Sequence, residues 1–378
     1  MSEQIINLLI TGTLDTLQMT IISTIMAMLL GIPLGVVLVV TSKGHILENV
    51  ALNKVLGAIV NATRSVPFII LMVAIIPFTR MVVGTSIGTT AACVPLTIAA
   101  IPFLARLVET SIKDINFGVI EAAQSMGASP LQIIWKVLLP EALPTIIDNV
   151  TVLIVNLISY SAMAGAIGGG GLGDIAIRYG YQRFQADIMI ATIIILVILV
   201  VTSKGHILEN VALNKVLGAI VNATRSIPFI ILMVAIIPFT RIVAGTSIGT
   251  TAACVPLTIA AIPFLARLVE TSIKDINFGV IEAAQSMGAS PLQIIWKVLL
   301  PEALPTIIDN VTVLIVNLIS YSAMAGAIGG GGLGDIAIRY GYQRFQADIM
   351  IATIIILVIL VQLVQMIGDA WSKAMNKK

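Results

Sequence analysis

Residues 121–144 read EAAQSMGASPLQIIWKVLLPEALP, and residues 282–305 repeat the same 24 letters. This is the one polar, helix-forming segment of any length in an otherwise strongly apolar chain. Glu121–Met126 are good helix formers, and Gly127 can take the left-handed conformation that ends a helix. Ser129-Pro130-Leu131-Gln132 then opens another: Ser as N-cap, Pro at the first helical position, Gln three residues after the cap. That second helix carries Ile133, Ile134, Val137 and Leu138, and it is expected to stop near Pro140. The stretch predicts helix, glycine turn, helix. On pattern alone, an ordinary loop and a docking element are equal readings.

The surroundings are membrane-like. Of 378 residues, 58% are hydrophobic and 11% charged, against about 25% charged in a soluble domain. Apolar runs near 20 residues recur, which predicts an all-α polytopic membrane protein. The alternating ten-residue segments of a β-barrel are missing. A net charge of +2 implies no nucleic-acid partner. Cys93 and Cys254 occupy the same place in the two repeats, inside apolar runs. They read as small buried residues rather than a disulfide or metal site. No cluster of His, Cys, Asp or Glu has metal-ligand spacing, and His45 and His206 read as solvated loop residues. The N-terminus has no Lys or Arg ahead of its short apolar patch, unlike a cleaved signal peptide.

Residues 41–200 match 202–361 at an offset of 161, differing only at Val66/Ile227, Met81/Ile242 and Val83/Ala244. Such near-identity means a recent tandem duplication, a deliberate fusion or a sequence-assembly error. Removing one copy leaves 217 residues. The run Leu38-Val39-Val40-Thr41-Ser42-Lys43 ends the first apolar helix, and Leu199-Val200-Val201-Thr202-Ser203-Lys204 ends a later one. The second copy therefore has no first helix of its own and shares the helix over 186–201.

Expected spans are 17–40, 55–79, 88–109, 145–165, 186–201, 216–240, 249–270, 306–326 and 347–367, nine in all. Polar hairpins fill 114–143 and 275–304. The units divide as 1–201 and 202–378. Ile188–Val201 is only 14 uninterrupted apolar residues, roughly 21 Å at ~1.5 Å per residue, against a hydrocarbon core of about 30 Å. This shared helix is expected to span poorly or thin the bilayer. Lys43, Lys54, Arg106, Lys113 and Lys136 lie on one side, and Arg80, Arg178 and Arg183 on the other. The bias puts the N-terminus outside, and both hairpins and the C-terminus in the cytoplasm.

Glu121-Ala122-Ala123, three residues, Gly127, and a stretch to Leu139-Pro140 resemble the EAA loop of bacterial ABC-importer permeases. The 217-residue unit as a whole resembles the methionine-importer permease. The similarity extends to Arg64-Ser65-Val66-Pro67-Phe68, to Val94-Pro95-Leu96-Thr97, and to Tyr160-Ser161-Ala162-Met163 leading into Gly168–Gly173. The resemblance implies a type I ABC-importer permease fold in two fused copies, in the bacterial inner membrane. It implies coupling residues Glu121, Ala122, Ala123 and Gly127, with Glu282, Ala283, Ala284 and Gly288. It also implies ATPase subunits on the cytoplasmic face, a substrate-binding lipoprotein outside, lipid around the spans, and a second permease chain as a possible pair. The chain has no G-x-x-x-x-G-K-[ST] motif, so ATP and Mg belong to the partner ATPase. No cofactor and no enzymatic activity is expected of this chain. The implied function is ATP-driven import of methionine by alternating access. A permease for another small amino acid and a non-transporting duplicated protein are the alternatives.

Other candidates carry two readings each. Asn156, Tyr160, Ser161 and Met163, with Tyr321, Ser322 and Met324, either line the pathway or pack helices; Asn149 shares that choice. Gly165–Asp174 reads as a flexible external loop or a plain turn. Arg64 either snorkels to the surface or anchors a substrate carboxylate. Pro67, Pro77, Pro95 and Pro102 suggest kinks.

Overall fold

The structure is a computed structural model that describes residues 3–203 and 226–375. The described elements are helical. They begin with α1 (Glu3–Val40), α2 (Val50–Ser65), α3 (Phe68–Ala74), α4 (Ile76–Val83) and α5 (Thr89–Lys113). Next come α6 (Phe117–Ser125), α7 (Pro130–Ile133), α8 (Leu139–Gly165), α9 (Gly171–Ile175) and α10 (Ala186–Ser203). The second copy supplies α11 (Phe229–Ala235), α12 (Ile237–Ala244), α13 (Thr250–Lys274), α14 (Phe278–Ser286) and α15 (Pro291–Ile294). It ends with α16 (Leu300–Ala327), α17 (Gly332–Ile336) and α18 (Ala347–Met375). Two compact units form: α1–α10 together with α11, and α12–α18.

Among the described residues, six helices are long and apolar enough to cross a membrane, and the bent pair α2–α3 makes a seventh. The shared helix is a shorter apolar segment, Ala186–Leu199. The expected span over 216–240 lies partly outside the described residues.

The breaks have local causes. Val66 is extended, at φ −85° and ψ 124°, because the ring of Pro67 clashes with a helical predecessor. The chain bends 104° between α2 and α3 as a result. The expected single span over 55–79 is therefore three short helices. Pro95 and Pro102 do not interrupt α5.

Two boundaries differ from expectation. The first helix starts at Glu3 rather than near residue 17, because its early turns are packed. Leu9 joins Ile175 and Ile188 in a buried cluster. Nor does the second hairpin helix stop near Pro140. A π turn over Ile134–Leu138 joins α7 directly to α8, and the Leu139 N–H donates to the carbonyl of Ile134. Pro140 brings no N–H of its own, and the wider π turn lets the helix continue past it.

In unit 1, α1 lies along α5 through a stripe of small residues. A Cβ on Gly31 would meet the Ile101 carbonyl at 3.0 Å, and one on Gly35 would meet the Ala105 carbonyl at 2.6 Å. Small side chains are what allow membrane helices to approach this closely. Thr16 and Thr20 on the same face satisfy their hydroxyls on their own helix, at 2.9 Å and 2.8 Å. The glycine-rich segment expected as a flexible external loop or a plain turn is neither free nor loose. A Cβ on Gly173 would come within 2.1 Å of the Ala162 carbonyl, and the Leu172 N–H donates to Thr16 Oγ1 at 2.9 Å. Close backbone packing demands the glycines there. From the second copy, α11 is buried in unit 1, against α8 and the turn over Ala176–Tyr181. In unit 2, α13 packs on α16, and α16 packs on α18.

Candidate functional site

Each hairpin is built as its sequence dictates. In the first copy the Asn116 side chain accepts from the Gly118 N–H at 2.9 Å and caps α6. Gly127 adopts φ +78°, and its N–H closes the turn on the Gln124 carbonyl at 2.9 Å. Ser129 and Gln132 form a reciprocal capping box. A cap of this kind is worth about 1 kcal/mol. In the second copy Gly288 has φ +77°, and the Ser290–Gln293 bonds repeat at 2.8 Å and 3.4 Å.

This geometry separates the coupling candidates. Glu121 and Ala122 are exposed, and Ala123 is buried beside Ile120. Glu282 and Ala283 are likewise exposed and Ala284 buried. Gly127 and Gly288 lie exposed at the turns, with nothing within 4 Å of a would-be Cβ. The sequence reading missed the residues that dominate the outer surface. Met126, Leu131 and Trp135 protrude, with Trp135 70% exposed, as do Met287, Leu292 and Trp296 at 69%. Their signal was available: Leu131 and Trp135 are four apart, opposite the Ile133–Leu138 face. An exposed apolar cluster within a polar loop marks an interaction surface.

A single long helix joins each hairpin to an apolar span. The helix from Pro130 to Gly165 is one continuous candidate span. Asn149 Nδ2 on it donates to Ser111 Oγ of α5 at 2.8 Å. Asn310 Nδ2 does the same to Ser272 Oγ at 2.8 Å. Asn149 thus ties α8 to α5. At the foot of α5, Lys113 Nζ pairs with Glu109 Oε1 at 2.7 Å, and Arg106 bridges Glu109 to Asn61. The equivalent Glu270 also has two basic partners, but its side chain is 42% exposed, against 7% for Glu109. An exposed pair of this kind contributes about 0–1 kcal/mol.

His45, expected to be solvated, is half-buried edge-on to Phe117, with ring centroids 6.2 Å apart. Burial, and secondarily the charge of Lys113, hold its pKa below 6.5. The histidine thereby joins the α1–α2 loop to the first residue of α6.

Each hairpin falls within its own match to one family profile, the binding-protein-dependent transport system inner membrane component. The matches cover residues 27–207 and 205–378. The chain belongs to this family. It carries the transport component twice in tandem. A probable D-methionine transport system permease protein MetI of Vibrio cholerae is 61% identical over 194 residues, covering 51% of this chain and 86% of that one. Its counterpart in Pasteurella multocida is 51% identical over 213 residues, covering 56% and 98%. A solved inward-facing MetNI methionine ABC transporter matches with a TM-score of 0.53 at 50% identity, covering 54% of this chain and 94% of that one. One such permease corresponds to about half of this chain.

The polar residues of the fourth expected span do not converge on one surface. Ser161 and Met163 are buried, and Ser161 Oγ donates to its own helix at the Ile158 carbonyl. Tyr160 stacks on Phe68 at 4.6 Å. Asn156 Nδ2 donates to the Val152 carbonyl at 3.0 Å. In the second copy Met324 is buried, Ser322 is exposed and Tyr321 is half-buried. Arg64 lies in the last turn of α2, just before the 104° bend, and is exposed. Cys93 is buried as expected, but Cys254 is exposed. The cover that α1 gives Cys93 has no equivalent over Cys254 among the described residues.

Proposed function

We propose that this chain is the membrane-spanning subunit of an ATP-driven methionine importer, and that each hairpin docks a separate ATPase. What carries the reading is the pairing of two facts. One methionine permease aligns with about half of this chain, at 51–61% identity over 194–213 residues, and the family profile matches both halves. Each half also keeps an exposed apolar knob beside Glu121-Ala122-Ala123 or Glu282-Ala283-Ala284. Glu121, Ala122 and Gly127, with Glu282, Ala283 and Gly288, form the coupling surface, and Ala123 and Ala284 seat it. Trp135 and Trp296 are its apolar anchors, since protruding tryptophans that become desolvated in a partner's pocket dominate such contacts.

In this reading the units divide at 201/202 and share the helix over 186–201. The hairpins and the C-terminus face the cytoplasm, and the N-terminus faces outward, where a binding protein delivers substrate. ATP and Mg act on the partner. Closure of the ATPase pair pulls both hairpins, and the continuous helices rising from Pro130 and Pro291 transmit the pull as a two-state switch. Asn156, Tyr160, Ser161 and Met163, with Tyr321, Ser322 and Met324, belong to the pathway wall or its support. Reconstitution with the ATPase and binding protein of a methionine system tests the reading. Methionine-dependent ATPase activity and labelled-methionine uptake are expected. If neither is seen, and the chain fails to hold the ATPase in detergent, the proposal is wrong.

A further inference from the structure

The helices α5 and α13 have the same 25 residues, yet they are not equally covered. Cys93 is buried and Cys254 exposed. Leu104, Ala105 and Val108 have no exposure, whereas Ala266 is exposed and Leu265 and Val269 are partly so. The same asymmetry continues into the glycine-rich turns. Ile175 is 4% exposed and Ile336 40%. A Cβ on Gly171 would meet Thr16 and Met19 at 2.8 Å, but one on Gly332 meets nothing within 4 Å.

One helix accounts for every difference. Gly12 of α1 faces Ile175, Thr16 and Met19 face Gly171, and Gly31 and Gly35 face Leu104 and Val108. Ser23 Oγ donates to the Cys93 carbonyl at 3.4 Å. From Gly12 to Gly35 this footprint is about 35 Å long at ~1.5 Å per residue, enough to cross the hydrocarbon core of a bilayer, about 30 Å. Unit 2 presents the same surface, residue for residue, without the helix that fits it among the described residues.

We infer that the open face of α13 and α17 is a docking site for a membrane helix of the α1 type, supplied by a separate polypeptide. Its chemistry is defined by the surface: apolar, with a small residue at roughly every fourth position, so that it can seat against the Leu265–Val269 ridge. The donor is not a second copy of this chain. Each chain has one α1 and two such faces, so exchange between copies uncovers as much as it covers. The inference does not rest on the transport reading.

The two cysteines provide the test. Residues 1–43 are expressed as a separate tagged segment carrying Ser23→Cys, together with the full chain, and the membranes are oxidised with copper phenanthroline. A disulfide adduct of segment and chain is expected. It should persist in Cys93→Ala and disappear in Cys254→Ala. An adduct that needs Cys93 instead would mean the segment has displaced the resident α1, and would overturn the inference. So would no adduct when immunoblotting finds the segment in the membrane. As a second readout, Gly31→Leu with Gly35→Leu in the segment should cut chain recovered on the tag at least tenfold. Equal recovery would reduce the contact to unspecific apolar association and sink the site. Finally, full-length chain carrying Ser23→Cys, expressed alone, should give no chain-to-chain adduct. One formed through Cys254 would make a second copy the occupant and refute a separate donor.

Discussion

Replacing Gly35 by alanine, with Gly57 replaced in parallel, isolates the α1–α5 contact. Both glycines are helical, so both substitutions gain about 1 kcal/mol of helix propensity. They differ in surroundings. A Cβ at Gly35 would stand 2.6 Å from the Ala105 carbonyl and 2.7 Å from Val108 Cβ, whereas one at Gly57 meets nothing within 4 Å. Ordinary contact needs 3.4 Å or more, so α1 must retreat by most of an ångström, against backbone. Overpacking of this kind costs about 1–3 kcal/mol. Because the propensity gain cancels between the two variants, that range is their expected difference. At about 2–4 °C per kcal/mol for a unit of this size, Gly35→Ala should melt roughly 2–12 °C below Gly57→Ala. Cys93 supplies the probe. In a Cys254→Ala background, a fluorogenic maleimide labels the chain only when α1 leaves Cys93. If both variants melt together, within about 1 °C, the close approach is not real.

Other outcomes follow from the hairpins and the loop beside them. Gly127→Ala and Gly288→Ala each place a Cβ in left-handed backbone, at about 1–2 kcal/mol. Protease cleavage at the turns should rise roughly 5–30-fold, and Asn should be milder than Ala. Trp135→Ala with Trp296→Ala should leave melting within about 0.5 kcal/mol of the parent, since both are exposed. It should weaken retention of the ATPase about 30-fold or more, as loss of an aromatic anchor does. For His45 the folded pKa lies below the unfolded 6.5. Its contribution is therefore complete above pH 6.5 and declines as pH falls below it, because the unfolded chain takes up the proton first. Thermal melts from pH 7.5 to 5, followed by circular dichroism, should show a loss on the acid side that His45→Asn removes.

The local features were legible because neighbours in the chain cause them. Ser129, Pro130 and Gln132 write a capping box within four residues, Gly127 writes its turn alone, and Val66-Pro67 writes a break. The repeat, and the membrane character of its helices, were equally plain. What escaped depends on partners distant in sequence. The first fourteen residues of α1 became helix because Leu9 found Ile175 and Ile188. The glycine-rich segment lost its freedom because Thr16, about 156 residues away, accepts one of its N–H groups. Nothing local distinguishes Cys93 from Cys254, or Leu104 from Leu265. Their environments differ through one helix that the duplication left uncopied. In the hairpins, periodicity pointed to the inward face of Ile133–Leu138, and the outward Leu131 and Trp135 went unread.

The turn over Ile134–Leu138, repeated over Ile295–Leu299, also acts as a phase setting. An α-helix advances about 100° per residue, and a π turn inserts one residue beyond the regular count. The azimuth of Trp135 about the long helix is thus written by a single extra residue. Deleting one residue there would leave the knob and the membrane segment each intact. It would swing the knob about a quarter of a turn relative to α8, aiming Trp135 at a different neighbour. Made in one copy only, such a deletion would leave the chain with two like knobs pointing along unlike bearings.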